Sequence, residues 1–417
     1  MAAKTVAFHT LGCKLNYSET STLSRLLAQD GYEKKEFTEA ADVYVINTCS
    51  VTNNADKECR QLVRRVTKQA PNSTVVITGC YAQLQSEAIA TIPGVDLVIG
   101  AAEKFNIVQH INNYVKSDKA QICSCDISEV TNFVSSYSVT DRTRTFLKLQ
   151  DGCNYTCAFC TIPQARGKSR SDSPTNVLAN VTSIAAQGVK EIVLTGVNLG
   201  DYNYEGINFY NLIQQLDAVD GIARFRISSI EPNLLSNDII SFVATSKKFM
   251  PHFHIPLQSG SNTMLGLMRR RYVQGLYTQR VQAIKQAMPH CCIGVDVIVG
   301  HPGETDELFM ETYNYLHQLE VSYLHVFTYS ERPNTKALEI LPIIPMDVRN
   351  KRNKMLRNLS FKKMDYFTQQ HYNTTRPVLF EQQNKNGFVD GYTDNYIKVT
   401  THYTPNIGNH ITPWKLR

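Results

Sequence analysis

The chain has 417 residues, a formal charge of +6 and 42% hydrophobic residues. At roughly 150 residues per domain this implies two or three domains with ordinary apolar cores, and it excludes a long disordered polyelectrolyte. No uninterrupted apolar run reaches transmembrane length, and the start MAAKTVAFHTLGCK lacks the apolar stretch of a signal peptide, so a soluble cytoplasmic protein without a membrane role is expected.

In chain order, TVAFHTLGC, DVYVINTC, TVVITGC and VDLVIG are short apolar runs rich in β-branched residues. Helical patterns separate the first three: SETSTLSRLLAQDGY, with Ser18 as its expected N-cap, and NADKECRQLVRRVTKQAP, which stops before Pro71. This spacing predicts a small parallel α/β sheet over residues 1–127. Residues 128–142 are Ser/Thr-rich without periodicity and read as a linker. A longer α/β series, 143–373, offers six strands, TFLKLQ, EIVLTG, RFRISSI, HFHIPLQ, IGVDVIVG and YLHVFTY, which predict a partial (βα)6 barrel built like the TIM fold. Its last segment, 347–371, reads as one basic amphipathic helix. From 374 to 417 the pattern changes to alternating strands and glycine turns, so the overall class is α/β with a short all-β module at the end.

Eleven cysteines, an odd number without an export signal, favour metal binding or catalysis over a disulfide framework. Cys13, Cys49 and Cys80 each follow a predicted strand. In a parallel sheet the carboxyl ends share one edge, so these three converge there, unless each is a small buried hydrophobe. Cys153, Cys157 and Cys160 follow a strand with C-x3-C-x2-C spacing and no fourth cysteine nearby. Zinc sites favour four ligands; an iron–sulfur cubane held by three thiolates keeps one iron open for a substrate or cofactor. Cys59, Cys123, Cys125, Cys291 and Cys292 read as packing residues. Turns at other strand ends offer cofactor contacts: Thr195, Gly196 and Asn198; Ser229 and Glu231; Gln258, Ser259 and Gly260. Three basic runs, RQLVRRVTK, MRRRY and RNKRNKMLRNLSFKK, point to a polyanion, most simply nucleic acid.

The C-x3-C-x-aromatic-C motif, with Phe159 before Cys160, resembles the signature of radical S-adenosylmethionine enzymes. LGCKLNYSE, NTCSVTNNADKECR and TGCYAQ resemble the cluster-binding domain of the methylthiotransferases within that group. QDGCNYTCAFCTIPQARGKSRS, HIPLQSGSNTMLGLMRRRY and DVIVGHPGETDELF resemble their radical domain, and the tail resembles a short TRAM RNA-binding module. The motifs stand in the family's order along nearly the whole chain. His301 replaces a phenylalanine that is commoner in the family.

The resemblance implies two 4Fe–4S clusters, on Cys13/Cys49/Cys80 and on Cys153/Cys157/Cys160, with S-adenosylmethionine as radical source and methyl donor and with Phe159 near its adenine. LGCKLNYSE and RGKSRS are most similar to the branch that methylthiolates carbon 2 of threonylcarbamoyl-adenosine at tRNA position 37. The isopentenyl-adenosine branch tends to begin Phe-Gly-Cys-Gln-Met-Asn and the ribosomal-protein branch Gly-Cys-Pro-Lys-Asn. The carbon 2–hydrogen bond is unactivated, so the cofactor supplies the difficult chemistry and the protein supplies placement. An electron donor such as a flavodoxin or ferredoxin and a sulfur source are implied. Arg166, Lys168, Arg170, Arg269, Arg270 and Arg271 are the expected contacts to the tRNA anticodon loop. The alternatives are methylthiolation of isopentenyl-adenosine or of a ribosomal protein side chain, and, in another class, a non-catalytic iron–sulfur protein that binds RNA.

Overall fold

Strands Glu33–Lys35, Thr5–Thr10, Val43–Thr48, Thr74–Gly79, Leu97–Ile99 and Gln121–Cys123 lie side by side in that order, all parallel. The structure is a computed structural model and describes residues 4–49, 53–139, 143–382 and 386–417. Val43–Thr48 is buried along its whole length, as a central parallel strand covered on both faces must be. One face packs Leu23 and Leu27 of the helix Lys14–Gln29 against Val45 and Val76; the other packs Val63 and Val66 of the helix Asn53–Gln69 against Ile46 and Ile77. Full burial of each such side chain contributes about 1.5–3 kcal/mol. The first helix starts a turn before the expected cap. Cys13 occupies the N-cap, and Ser18 lies inside the helix, donating to the Leu15 carbonyl and bonding Ser136 at 3.1 Å. Glu33–Lys35 and Gln121–Cys123 are edge strands, too short for periodicity to reveal.

Within the segment 128–142, Ser136–Tyr137 pairs antiparallel with the first barrel strand, Arg144–Lys148; residues 140–142 lie outside the described residues. The barrel strands are then Glu191–Thr195, Arg224–Ile227, His252–His254, Cys292–Val299 and Tyr323–Thr328. They pair in parallel as two sheets joined by a bridge between Phe225 and Phe249, so the predicted partial (βα)6 barrel is present. Alternation decides what faces where. Ile192, Leu194, Phe225, Ile227, Ile293 and Val295 join the core beneath the helices, which turns Glu191, Arg224, Arg226, His254, Asp296 and His325 toward the lumen. The predicted basic helix spans Met346–Gln369 and packs on the last barrel strand. No helix among the described residues is long and apolar enough to cross a membrane.

The tail forms a four-stranded antiparallel sheet, Lys398–His402, Phe388–Thr393, Thr375–Phe380 and Ile411–Lys415 in spatial order. It completes its core with Tyr323 and Cys292 from the barrel and Phe367 from the basic helix. Its turn enters the barrel floor: Tyr396, at φ +70°, stacks on His252 with ring centroids 4.3 Å apart. Arg226 donates to the Asp394 carbonyl at 3.1 Å and Arg224 to the Pro377 carbonyl at 2.8 Å. A tail lying outside the barrel would be dispensable for cofactor chemistry; this one is built into the barrel floor and is expected not to be. Deleting 374–417 uncovers Arg224, Arg226 and Glu191 and strips one side of an apolar cluster. We expect insoluble protein, or joint loss of cofactor cleavage and RNA binding, measured by sedimentation and 5′-deoxyadenosine yield. A soluble deletion variant with undiminished cleavage would contradict this.

Candidate active site between two thiol triplets

Cys13, Cys49 and Cys80 stand at the carboxyl ends of three adjacent strands, Thr5–Thr10, Val43–Thr48 and Thr74–Gly79. Gly12, at φ +98°, is required here: a Cβ would lie 2.8 Å from the Cys49 Sγ. The other triplet lies on the loop after Arg144–Lys148. It accepts hydrogen bonds from the chain around it: the Tyr155 N–H to the Cys153 Sγ at 3.4 Å, the Ile162 N–H to the Cys160 Sγ at 3.5 Å, and the Arg270 guanidinium to the Cys157 Sγ at 3.0 Å. Burial pushes the Cys153 thiol up to about 11 and the Cys160 thiol up to about 12. Burial outweighs the one guanidinium beside Cys157, and a bound metal cluster would supply the further positive charge that holds these sulfurs as thiolates. Neither triplet has a fourth cysteine beside it in sequence, so the donor sets fit clusters with an open position better than closed zinc sites.

The helix that begins at Cys80 packs against Ile162–Arg166, the helix that follows Cys160, which brings the segments carrying the two triplets together. Arg166 sits in this seam. Its guanidinium donates to Asn16 Oδ1 at 2.7 Å, to Glu19 Oε1 at 3.0 Å and to Asp151 Oδ1 at 2.9 Å. Lys104 and Lys148 complete the buried network on Glu19, at 2.7 and 3.5 Å. Burial opposes ionisation of Glu19, but Arg166, Lys104 and Lys148 outweigh it and hold the carboxyl well below the usual range. A second cross-tie joins Arg332 to Asp56 at 3.0 Å. Cys13 and Lys14 reach solvent yet lie deep in the molecule, within reach of the charges of Arg166 and of Asp296 respectively.

A cavity of about 170 Å³ opens beside Cys160. Phe159 and Gln258 line it, together with Asp296, Ile298, Tyr329 and Arg332, which the sequence did not single out. Gln258 adopts φ +67° at the end of its strand. Asn198 is buried, and neither atom of its amide has a partner among the described residues, which leaves it free for a ligand. Glu231 is ion-paired to Arg270 beside the cysteine loop. Ser229 is half-buried and its carbonyl accepts from the Leu199 N–H at 3.3 Å. Gly196 packs on Gln150 and Leu199. Three expected contacts are occupied by the fold. The Thr195 hydroxyl donates to the Leu147 carbonyl at 2.9 Å, and Ser259 and Gly260 bond the Thr312 hydroxyl at 2.9 and 3.1 Å. His301 has an account in packing: its ring meets Phe159 and Tyr329 edge-on, its Nδ1 lies 2.8 Å from the Pro302 carbonyl, and burial lowers its pKa to about 4, so it serves as a neutral aromatic ring.

The six cations expected to meet RNA divide. Lys168, Arg269 and Arg271 are exposed; Arg271 also lies over the Tyr155 ring at 4.0 Å. Arg170 is half-buried and donates to the carbonyls of Arg166 and Lys168. Arg166 and Arg270 are corrected: their guanidiniums are buried and committed to Glu19 and Glu231, so neither reaches a phosphate.

A partial parallel barrel with three thiols at its first strand end defines a radical S-adenosylmethionine enzyme, and residues 147–316 match the model of the radical SAM superfamily. Residues 5–100 match the model described as uncharacterized protein family UPF0004. The threonylcarbamoyladenosine tRNA methylthiotransferase MtaB of Bacillus subtilis is 41% identical, with 99% of this chain and 93% of the relative covered. The Aquifex aeolicus protein of the same name is 38% identical over 94% of this chain and 96% of the relative. The tRNA-2-methylthio-N(6)-dimethylallyladenosine synthase of Endomicrobium trichonymphae is 31% identical over 96% and 94%. Among solved structures, the radical S-adenosylmethionine methyltransferase TsrM of Kitasatospora setae shares the fold, with a TM-score of 0.60 at 14% identity over 80% of this chain and 77% of that one. The chain belongs to the methylthiotransferase family of radical S-adenosylmethionine enzymes.

Proposed function

We propose that this protein methylthiolates carbon 2 of threonylcarbamoyl-adenosine at position 37 of tRNA. The observation that carries the reading is Arg166, which follows Cys160 on its short helix and lies buried within reach of the charges of Cys13 and Cys80, linking the two triplets. The relatives named for this activity, at up to 41% identity, support the branch. With clusters and S-adenosylmethionine bound, the groups supply an electron, a radical source, sulfur and a methyl group. The chain supplies the rest. Cys153, Cys157 and Cys160 hold the first cluster, and Cys13, Cys49 and Cys80 a second. Phe159, Gln258 and Asn198 bind and orient the cofactor. Arg270 holds Cys157 and Glu231 in register. The closely packed seam keeps water from the reacting carbon. Lys168, Arg269 and Arg271 bind phosphates at the rim, with a flipped-out anticodon-loop base entering between the triplets. A cytoplasmic one-electron donor of the flavodoxin or ferredoxin type and a sulfur donor complete the cycle.

Reconstituted anaerobically, the protein is expected to hold about eight iron and eight sulfide per chain. It should convert threonylcarbamoyl-adenosine in tRNA to its 2-methylthio derivative, read by nucleoside mass spectrometry. Stoichiometric zinc, or turnover only on isopentenyl-adenosine, would overturn the reading.

A further inference from the structure

We propose that Lys14, His254, Asp296 and His325 form the subsite for the polar substituent on N6 of the target adenine, Lys14 pairing its carboxylate and Asp296 accepting from its hydroxyl or ureido N–H. The inference rests on the function proposed above and names what selects its substrate.

Asp296 and His325 are direct neighbours across two parallel strands, and His254 pairs with Gly294 on the next. The His254 Nε2 lies 2.9 Å from the Asp296 Oδ1, and the His325 Nδ1 lies 3.8 Å from the same oxygen. Gly294 is obligatory between them, since a Cβ there would fall 2.3 Å from the Tyr323 ring. One layer below, His252, Tyr323 and Tyr396 stack and close the lumen, so the space is blind-ended. One layer above, Asp296 shares the cavity wall with Phe159 and Gln258. Lys14, the residue after Cys13, lies deep in the molecule and feels the charges of Asp296 and of the Arg144 and Arg226 guanidiniums. It has no ion-pair partner among the described residues, whereas Arg226 is already committed to Glu191. With Glu191 neutralising Arg226, the Lys14 ammonium and the Arg144 guanidinium keep the surroundings of Asp296 net positive. A ligand carrying a carboxylate together with O–H and N–H donors satisfies both signs. An isopentenyl group would leave Lys14 without a partner and Asp296 with its histidines alone, and a site whose buried charge stays unpaired disfavours such an analogue.

The test uses reconstituted holoenzyme and three anticodon stem-loop RNAs of one sequence, carrying adenosine, threonylcarbamoyl-adenosine or isopentenyl-adenosine at position 37. Wild type should bind the threonylcarbamoyl loop at least about tenfold more tightly than the unmodified loop. In Lys14→Met and His325→Ala this ratio should fall toward one; His325→Ala, remote from the thiols in sequence, keeps the test valid if Lys14→Met loses iron. Variants that keep the wild-type ratio overturn the subsite. Stoichiometric zinc or ferrous ion lost from His325→Ala would also overturn it, marking the triad as a metal site. If wild type turns over the threonylcarbamoyl substrate while the ratio survives mutation, only the subsite is wrong; if wild type does not turn it over, the function is.

Discussion

Replacing Cys153, Cys157 and Cys160 by Ala should reduce both 5′-deoxyadenosine and methylthio-nucleoside to background, whereas replacing Cys13, Cys49 and Cys80 should abolish the methylthio product and leave 5′-deoxyadenosine measurable. The division follows from position. The 153–160 loop adjoins the cavity lined by Phe159 and Gln258, so loss of its thiols removes the place where the cofactor is held. The other three thiols lie on a separate sheet edge and reach the same space from across the seam. Both products are quantified in one anaerobic reaction, after circular dichroism shows each variant folded, because loss of a cluster can unfold its host sheet. A folded Cys13/Cys49/Cys80 variant that still transferred sulfur would reverse the assignment.

Arg166→Ala should destabilise the protein by about 3–5 kcal/mol, the usual consequence of removing one partner from a buried ion pair. Glu19 and Asp151 would stay buried with weakened compensation, and the barrel would lose its main tie to the first sheet. Urea denaturation measures the change. The wild type also carries a pH signature. Burial works against Asp151, but Arg166 and Lys148 prevail and hold its folded pKa at about 2, against an ordinary 3.8. Its contribution is therefore intact above about pH 4 and is lost as the pH falls toward 2; Arg166→Ala should flatten that acid limb. A midpoint shift within error would show that the seam is not held by this network.

The elements that local pattern governs were legible. Six apolar, β-branched runs became six barrel strands, and three cysteines placed after strands met at one edge because parallel strands end together. Arg166 was misread for the opposite reason. Beside Lys168 and Arg170 it looks like part of a surface cation run, yet its burial is set by Glu19, 147 positions away, which no local pattern carries. Asp296 and His325 were missed because single polar residues within apolar strands gain meaning only once alternation points them into a shared lumen. Ser259 and Gly260 were overread: their strand-end turn is a packing joint against Thr312, chemically indistinguishable in sequence from a ligand loop.

Tyr396 on the barrel floor bears on how the enzyme is made. The segment 375–416 is synthesised after all six barrel strands, so a nascent chain carries a barrel whose floor arginines have Glu191 but lack the tail's carbonyl acceptors until that segment leaves the ribosome. Completion of the catalytic half is thus post-translational in timing. Cluster insertion that requires a closed barrel would act only on full-length chains, and prematurely terminated ones would stay iron-free and exposed to proteolysis.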